Sequence, residues 1–200
     1  MKKYVYLAGI VFIILSCKNK TEEEKRDVVY YPSKLYFNSS NLKRVTLQSS
    51  DNFIDIIKDV NRIHRNDSLP YIEVEEGNRI VKIILMRSDG GLKIRKNFLT
   101  MTKDSVYTLT RDYPLNRLNE VLRIQYENKG RVATLAERAG LVIVEIELDH
   151  YDSGERLIES LKMLITNFDS LNAQHKDSLE LRIALSVPLI PLPLPPPSEN

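Results

Sequence analysis

Tryptophan is absent from the 200-residue chain, and cysteine occurs once, as Cys17. A single thiol excludes an internal disulfide and any zinc site built on several cysteines. Glycine is sparse at seven residues, and none falls in a GxSxG elbow, a P-loop or a GxGxxG turn. HExxH is missing as well, so the usual hydrolase, nucleotide and zinc-protease motifs give no foothold. Charge of one sign is also lacking. Without Lys2 and Lys3, which belong to the N-terminal segment, 27 basic residues face 27 acidic ones. That balance supplies no bulk attraction to nucleic acid, and no basic patch with interleaved aromatics is present. The longest apolar run, Tyr4 to Leu15, has 12 residues, whereas a membrane-spanning helix needs about 20.

What is present begins with "MKKYVYLAGIVFIILSC". Lys2 and Lys3 form a positive start, and Tyr4 to Leu15 form the apolar stretch of a secretory signal. The usual small-x-small cleavage site is replaced by Ile14, Leu15, Ser16 and Cys17. This segment resembles that of bacterial lipoproteins, whose lipobox ends in an obligatory cysteine after a small residue. The resemblance implies a diacylglycerol on Cys17, cleavage before it, and acylation of the new amino group with a chain such as palmitate. Two or more acyl chains anchor stably, at about 0.8 kcal/mol per buried methylene. The alternative is an ordinary signal peptide with an incidental cysteine. Residues 1–16 are thus read as signal and 17–28 as a lipidated tether. The polar "KNKTEEEKRD" has no apolar period. It is either a solvated linker or, by likeness to some Gram-negative lipoproteins, a surface-export signal.

Hydrophobic residues at 42% are enough for one core, and residues 29–187 read as a single α+β domain. Three segments share a strand–turn–helix plan without aligning as a repeat. "KRVTLQSSDNFIDIIKDVNRIHRN" places Phe53, Ile56, Ile57, Val60 and Ile63 on one helix face. "SVYTLTRDYPLNRLNEVLRIQYENKG" does the same with Leu115, Leu118, Val121 and Leu122, with Gly130 as the stop. "LVIVEIELDHYDSGERLIESLKMLITNFDSLN" carries Leu157, Leu161, Leu164, Ile165 and Phe168, with Asp152 and Glu155 as a capping box. Turn signals at Gly77-Asn78 and Asp89-Gly90 predict hairpins on both sides of the apolar strand Ile80 to Met86. The alternation in "LELRIALSV" predicts a half-buried strand at or near an edge. The expected architecture is a mixed sheet with about three helices packed on one face.

From residue 79 onward the order of elements, with "IILMRSDGGLKI", "IVEIELDHYDSGERLIESLKML" and "LRIALSV" in sequence, resembles the periplasmic domain of the ExbD/TolR family of biopolymer-transport proteins. The resemblance implies an accessory of envelope transport whose last strand or tail meets a partner. It departs from the family at the N-terminus, where those proteins carry a membrane helix with an aspartate. The tail, residues 188–200, holds six of the nine prolines. It favours polyproline II, and Leu189, Ile190, Leu192 and Leu194 make it a candidate contact strip for an envelope partner.

Chemistry-bearing residues are few. In open α/β sheets ligands bind beyond the carboxyl ends of strands, which singles out "ELDHYDSGE". Asp149, His150 and Asp152 can ligate a cation or form an acid/base pair, and Ser49, Ser50 and Arg111 join them if the three turns are neighbours. Against this, Asp152 is accounted for by capping and Asp149 by the turn. His64 and His175 lie in charged segments and read as exposed, and Glu145 and Glu147 as a solvated strand face. No catalytic residue, metal centre or cofactor is assigned. The expectation is a lipid-anchored protein of the bacterial cell envelope, on the periplasmic or surface face of the outer membrane. Its domain binds or scaffolds. A small-molecule or metal site at the strand–helix turns is the alternative.

Overall fold

Apolar residues repeating at helical spacing build three of the four helices in the computed structural model, which describes residues 26–87, 94–176 and 179–188. The strands are β1 (Asp27–Tyr31), β2 (Leu42–Arg44), β3 (Leu69–Glu76), β4 (Arg79–Met86) and β5 (Phe98–Met101). They continue with β6 (Ser105–Tyr107), β7 (Asp112–Pro114), β8 (Ile143–Glu147) and β9 (Ile183–Ser186). The helices are α1 (Lys34–Ser39), α2 (Phe53–Arg65), α3 (Leu118–Tyr126) and α4 (Gly154–Asn172). β1 starts two residues inside the segment read as tether.

All nine strands form one mixed sheet in the order β2-β3-β4-β9-β8-β5-β6-β7, with β1 beside the first half of β4. β4, β9, β8 and β5 run parallel, β3 is antiparallel to β4 but parallel to β2, and the β6–β7 meander is antiparallel throughout. The strands at the two ends of this order have three residues each, too short to template pairing with another chain.

One face of the sheet is buried under α2, α4 and α3. Val81, Ile83 and Leu85 of β4, Val144 and Ile146 of β8, and Ile183 of β9 are fully buried there. They meet Phe53, Ile56 and Val60 of α2, Val121 and Leu122 of α3, and the stripe Leu157, Leu161, Leu164, Ile165 and Phe168 of α4. α4 lies against both other helices. Phe168 receives Tyr31 edge-on at 5.7 Å and packs against Tyr126 at 5.5 Å. The fold class expected from sequence is therefore the one observed, with the three amphipathic helices on one side. The fourth helix, α1, lies on the opposite face, where Phe37 packs edge-on against Tyr30 and Tyr71.

Three local expectations need correction, and a fourth falls outside the described residues. β9 is interior, paired with β4 and β8 and buried along its length, rather than near an edge. Its alternation arises because Leu181, Ile183 and Leu185 face the helices while Ser186 faces the other side. The turn at Asp89-Gly90 lies outside the described residues. The strands flanking it, β4 and β5, run parallel with β9 and β8 between them, so they are not hairpin partners. α3 ends at Tyr126, and Gly130 (φ +75°) instead turns the loop that follows. That loop is held by buried Asn128, whose side chain donates to the carbonyls of Val132 and Ala136 and accepts from the Val132 amide. Finally, the cap of α4 is Ser153, which accepts from the Arg156 amide, while Asp152 accepts from the Asp149 amide. Asp152 closes the turn before the helix and does not cap it.

The remaining polar cluster ties β1 and the β3–β4 hairpin to the end of α4. The Tyr31 hydroxyl donates to Asp169, Arg79 pairs with Asp169 at 2.6 Å and with Glu76 at 2.5 Å, and Thr166 donates to Glu76 at 2.9 Å. Two of the histidines read as exposed are not. His64 is buried on α2, and His175 is half-buried with Nε2 3.2 Å from Glu127.

Candidate functional site

β5, β8 and β9 run parallel and end side by side at Met101, Glu147 and Ser186. Three connections leave from these ends: the turn Thr102–Ser105, the turn 148–153, and Val187–Pro188. Together they enclose a cleft of about 270 Å³ lined by Lys103, Asp104, Tyr107, Glu147, Asp149, Asp152 and Pro188, among others. Parallel strands open a crevice here because their connections turn away in different directions.

Each wall of the cleft has a local cause. In Thr102–Ser105 the threonine side chain closes the turn, accepting from the Ser105 amide and donating to its carbonyl, both at 3.2 Å. Thr108 closes Thr108–Arg111 in the same way at the other end of the meander. In the turn after β8, the Asp152 carboxylate accepts from the Asp149 amide at 2.8 Å. Lys103 reaches across to Asp149 at 3.4 Å, with both side chains more than half exposed. A pair so solvated contributes about 0–1 kcal/mol and fixes the rim only loosely.

The turn 148–153 is anchored from behind by the turn before α2. Asn52 bridges Ser153, the Gly154 amide donates to Asp51 at 2.8 Å, the Phe53 amide to Asp152 at 2.8 Å, and the Ile54 amide to His150 at 3.1 Å. Gly154 is required for this approach. A Cβ there would collide with the Gln48 carbonyl oxygen and lie 3.2 Å from its carbon.

A second cleft, of about 340 Å³, lies on the sheet face away from α2–α4 and is lined by Arg95, Phe98, Thr100, Tyr107, Leu109 and Glu145. Tyr107 lines both clefts. Glu145, read from sequence as solvated, is buried on β8. Its side chain approaches the Thr100 hydroxyl at 3.5 Å. The reading failed because period-two alternation identifies a shared face and not what covers it.

The structure thus brings together part of the set expected from sequence. Asp149 and Asp152 share the first cleft. His150 does not line it, and contributes its carbonyl to the join with α2. Ser49 and Ser50 lie in the turn that meets 148–153, but their side chains are exposed and line none of the clefts described. Arg111 is at the opposite end of the meander, because β6 runs antiparallel to β5. It lines a separate cleft of about 220 Å³ with Tyr113, Ile124 and Val132. The composite pocket with Arg111 therefore does not form. Among the described residues no group of three or more His, Cys, Asp or Glu is placed to hold a metal ion. Lys103, Asp104 and Tyr107 went unnoticed in the sequence. Their only signal is the polar "TKDS" just before the strand read at "SVYTLT", because the four residues of β5 on its other side are too few to declare a strand.

No protein-family model, curated protein or solved structure matches the chain. Among the described residues no helix is long and apolar enough to cross a membrane.

Proposed function

We propose that this is a lipid-anchored protein of the bacterial cell envelope, held by Cys17, whose α+β domain binds another envelope component without carrying out chemistry. The observation that supports binding is the pair of clefts meeting at Tyr107 on β5–β6–β8. At about 270 and 340 Å³ they sit at or below the lower end of small-molecule pockets, roughly 300–1,000 Å³. A half-exposed aromatic between polar rims is instead the kind of anchor on which protein interfaces centre. The anchor rests on the 12-residue apolar run that stops at the sole cysteine.

The transport-accessory reading loses one means of contact. β9 has both edges paired, so a partner strand cannot add to it. The proline-rich tail, the other expected contact, lies outside the described residues beyond Pro188, which lines the first cleft.

Two measurements test the proposal. Intact-mass spectrometry of the mature wild-type protein is expected to show a diacylglyceryl cysteine at its N-terminus, and Cys17→Ala is expected to lose it. An identical mass and palmitate labelling in the two proteins would sink the anchor. For the binding face, a photo-crosslinking residue at Lys103 is expected to give a discrete conjugate in cells, and one at Arg111 to give none. Equal yields at both positions would remove the cleft from the account.

A further inference from the structure

The first helix after the tether carries its apolar residues on the wrong side for a domain surrounded only by water. In α1, "KLYFNS", Phe37 alone points inward, onto Tyr30 and Tyr71. Leu35 is 79% exposed, more than any other leucine, isoleucine or valine among the described residues, and Tyr36 is 39% exposed. Val28 of β1, also half exposed, lies on the same sheet face as Tyr30. One exposed leucine is ordinary; a leucine, a tyrosine and a valine gathered on the first two elements of the domain are not scattered.

The charges around them have one sign in excess. Lys34 is exposed and has no ion pair among the described residues, and Lys82, opposite Tyr30 on the same sheet face, shares the single carboxylate of Glu73 with Arg44. Arg26 and Arg44 are matched by Glu75 and Glu73. Asp27 is the remaining exposed acid on these elements. An apolar centre flanked by lysines is the pattern of an interfacial surface, where leucine enters the acyl boundary, tyrosine sits at the headgroups and lysines meet anionic lipid.

Geometry selects the occupant. Eight residues lie between Cys17 and Arg26, so the start of β1 lies no more than about 35 Å of extended chain from the lipid. α1 follows β1 after two residues and packs back onto it. We infer that the α1–β1 surface docks on the membrane into which Cys17 is anchored, with Leu35 inserted and Lys34 at anionic headgroups. This rests on the lipid-anchor proposal and deepens it: docking turns the α2–α4 face away from the membrane and fixes which way the clefts point.

The chain has no tryptophan, so Leu35→Trp places a single reporter. Met163→Trp, on the exposed side of α4 across the sheet, is the control. Each full-length lipidated protein is reconstituted into phosphatidylethanolamine/phosphatidylglycerol vesicles with part of the lipid brominated. The Leu35→Trp protein is expected to lose about half its fluorescence to bromolipid and to shift to the blue, while the Met163→Trp protein does neither. Adding Lys34→Glu is expected to reduce the quenching. If the protein sediments with the vesicles but Leu35→Trp is quenched no more than Met163→Trp, docking is overturned and the anchor stands. If wild type and Cys17→Ala both fail to sediment, the anchor is wrong and docking falls with it.

Discussion

Replacing Gly154 by alanine will destabilise the domain by about 3 kcal/mol, the upper end of the usual cost of forcing atoms into a packed site. The added methyl would press on a backbone carbonyl, that of Gln48, which has no rotamer through which to escape. The turn Gln48–Asp51 would have to move, and it is held by the Asp51 carboxylate accepting from the Gln48 amide at 2.8 Å. The Asp51 backbone carbonyl also accepts from the Gly154 amide itself. Separating the two turns breaks the join that seats the first turns of α2 and α4 side by side, and it shifts Asp152 at the rim of the cleft. Gly140→Ala is the control. No atom lies within 4 Å of the added carbon and the backbone is not in the left-handed region, so a change within about 0.5 kcal/mol is expected. Urea denaturation of the two variants decides the matter, and equal midpoints would refute the close-approach account.

The second large effect is alkaline. Tyr126 is 2% exposed and Tyr31 5% exposed. Burial pushes both phenols well above the ordinary tyrosine range, and at Tyr31 the neighbouring Asp169 carboxylate pushes further. The folded chain therefore keeps two protons that the unfolded chain releases near pH 10. This stability is fully present below pH 10 and is lost as pH rises above it, by about 1.4 kcal/mol per unit for each tyrosine. Between pH 10 and 12 the two together remove roughly 5 kcal/mol, comparable with the whole stability of many domains. Tyr126→Phe gives up the hydrogen bond to the Glu180 carbonyl at 3.0 Å, a loss of about 1 kcal/mol that does not depend on pH. Its stability is expected to fall less steeply above pH 10, by about 1.4 kcal/mol per unit. Phenolate absorbance measured beside circular dichroism checks the mechanism. Complete titration of every tyrosine with the fold intact would contradict it.

Phe168 shows why these tyrosines matter to the architecture. Its position in α4 was legible from the spacing Leu157, Leu161, Leu164, Ile165, Phe168, because a helix must turn every third or fourth residue the same way. That Tyr31 and Tyr126 would close on it from β1 and α3 was not legible, because those contacts join residues 42 to 137 positions apart. The same division runs through the sheet. The apolar run of β4 marked a central strand, since only burial on both sides tolerates it. β9 was misplaced because alternation appears in any strand with one helix-covered face, whether interior or edge. β5 and β7 escaped notice because three or four residues are too few to show a period.

The candidate site follows this pattern. The turn after β8 was found because a polar run between an apolar strand and a helix stands out locally, and Asp149 and Asp152 do line a cleft. Arg111 was wrongly included because the direction of β6 determines which end of the sheet it reaches, and direction is a property of pairing. By itself the sequence determined the class of fold, the three helix faces, the Gly77-Asn78 turn and the expectation of an anchor at Cys17, all of which rest on neighbours within about one or two turns of chain. Only the tertiary structure decided strand order, the burial of Glu145 and His64, the meeting of Gly154 with Gln48 and the exposure of Leu35. Each of these depends on which distant segment arrives opposite a residue, and local chemistry carries no record of that.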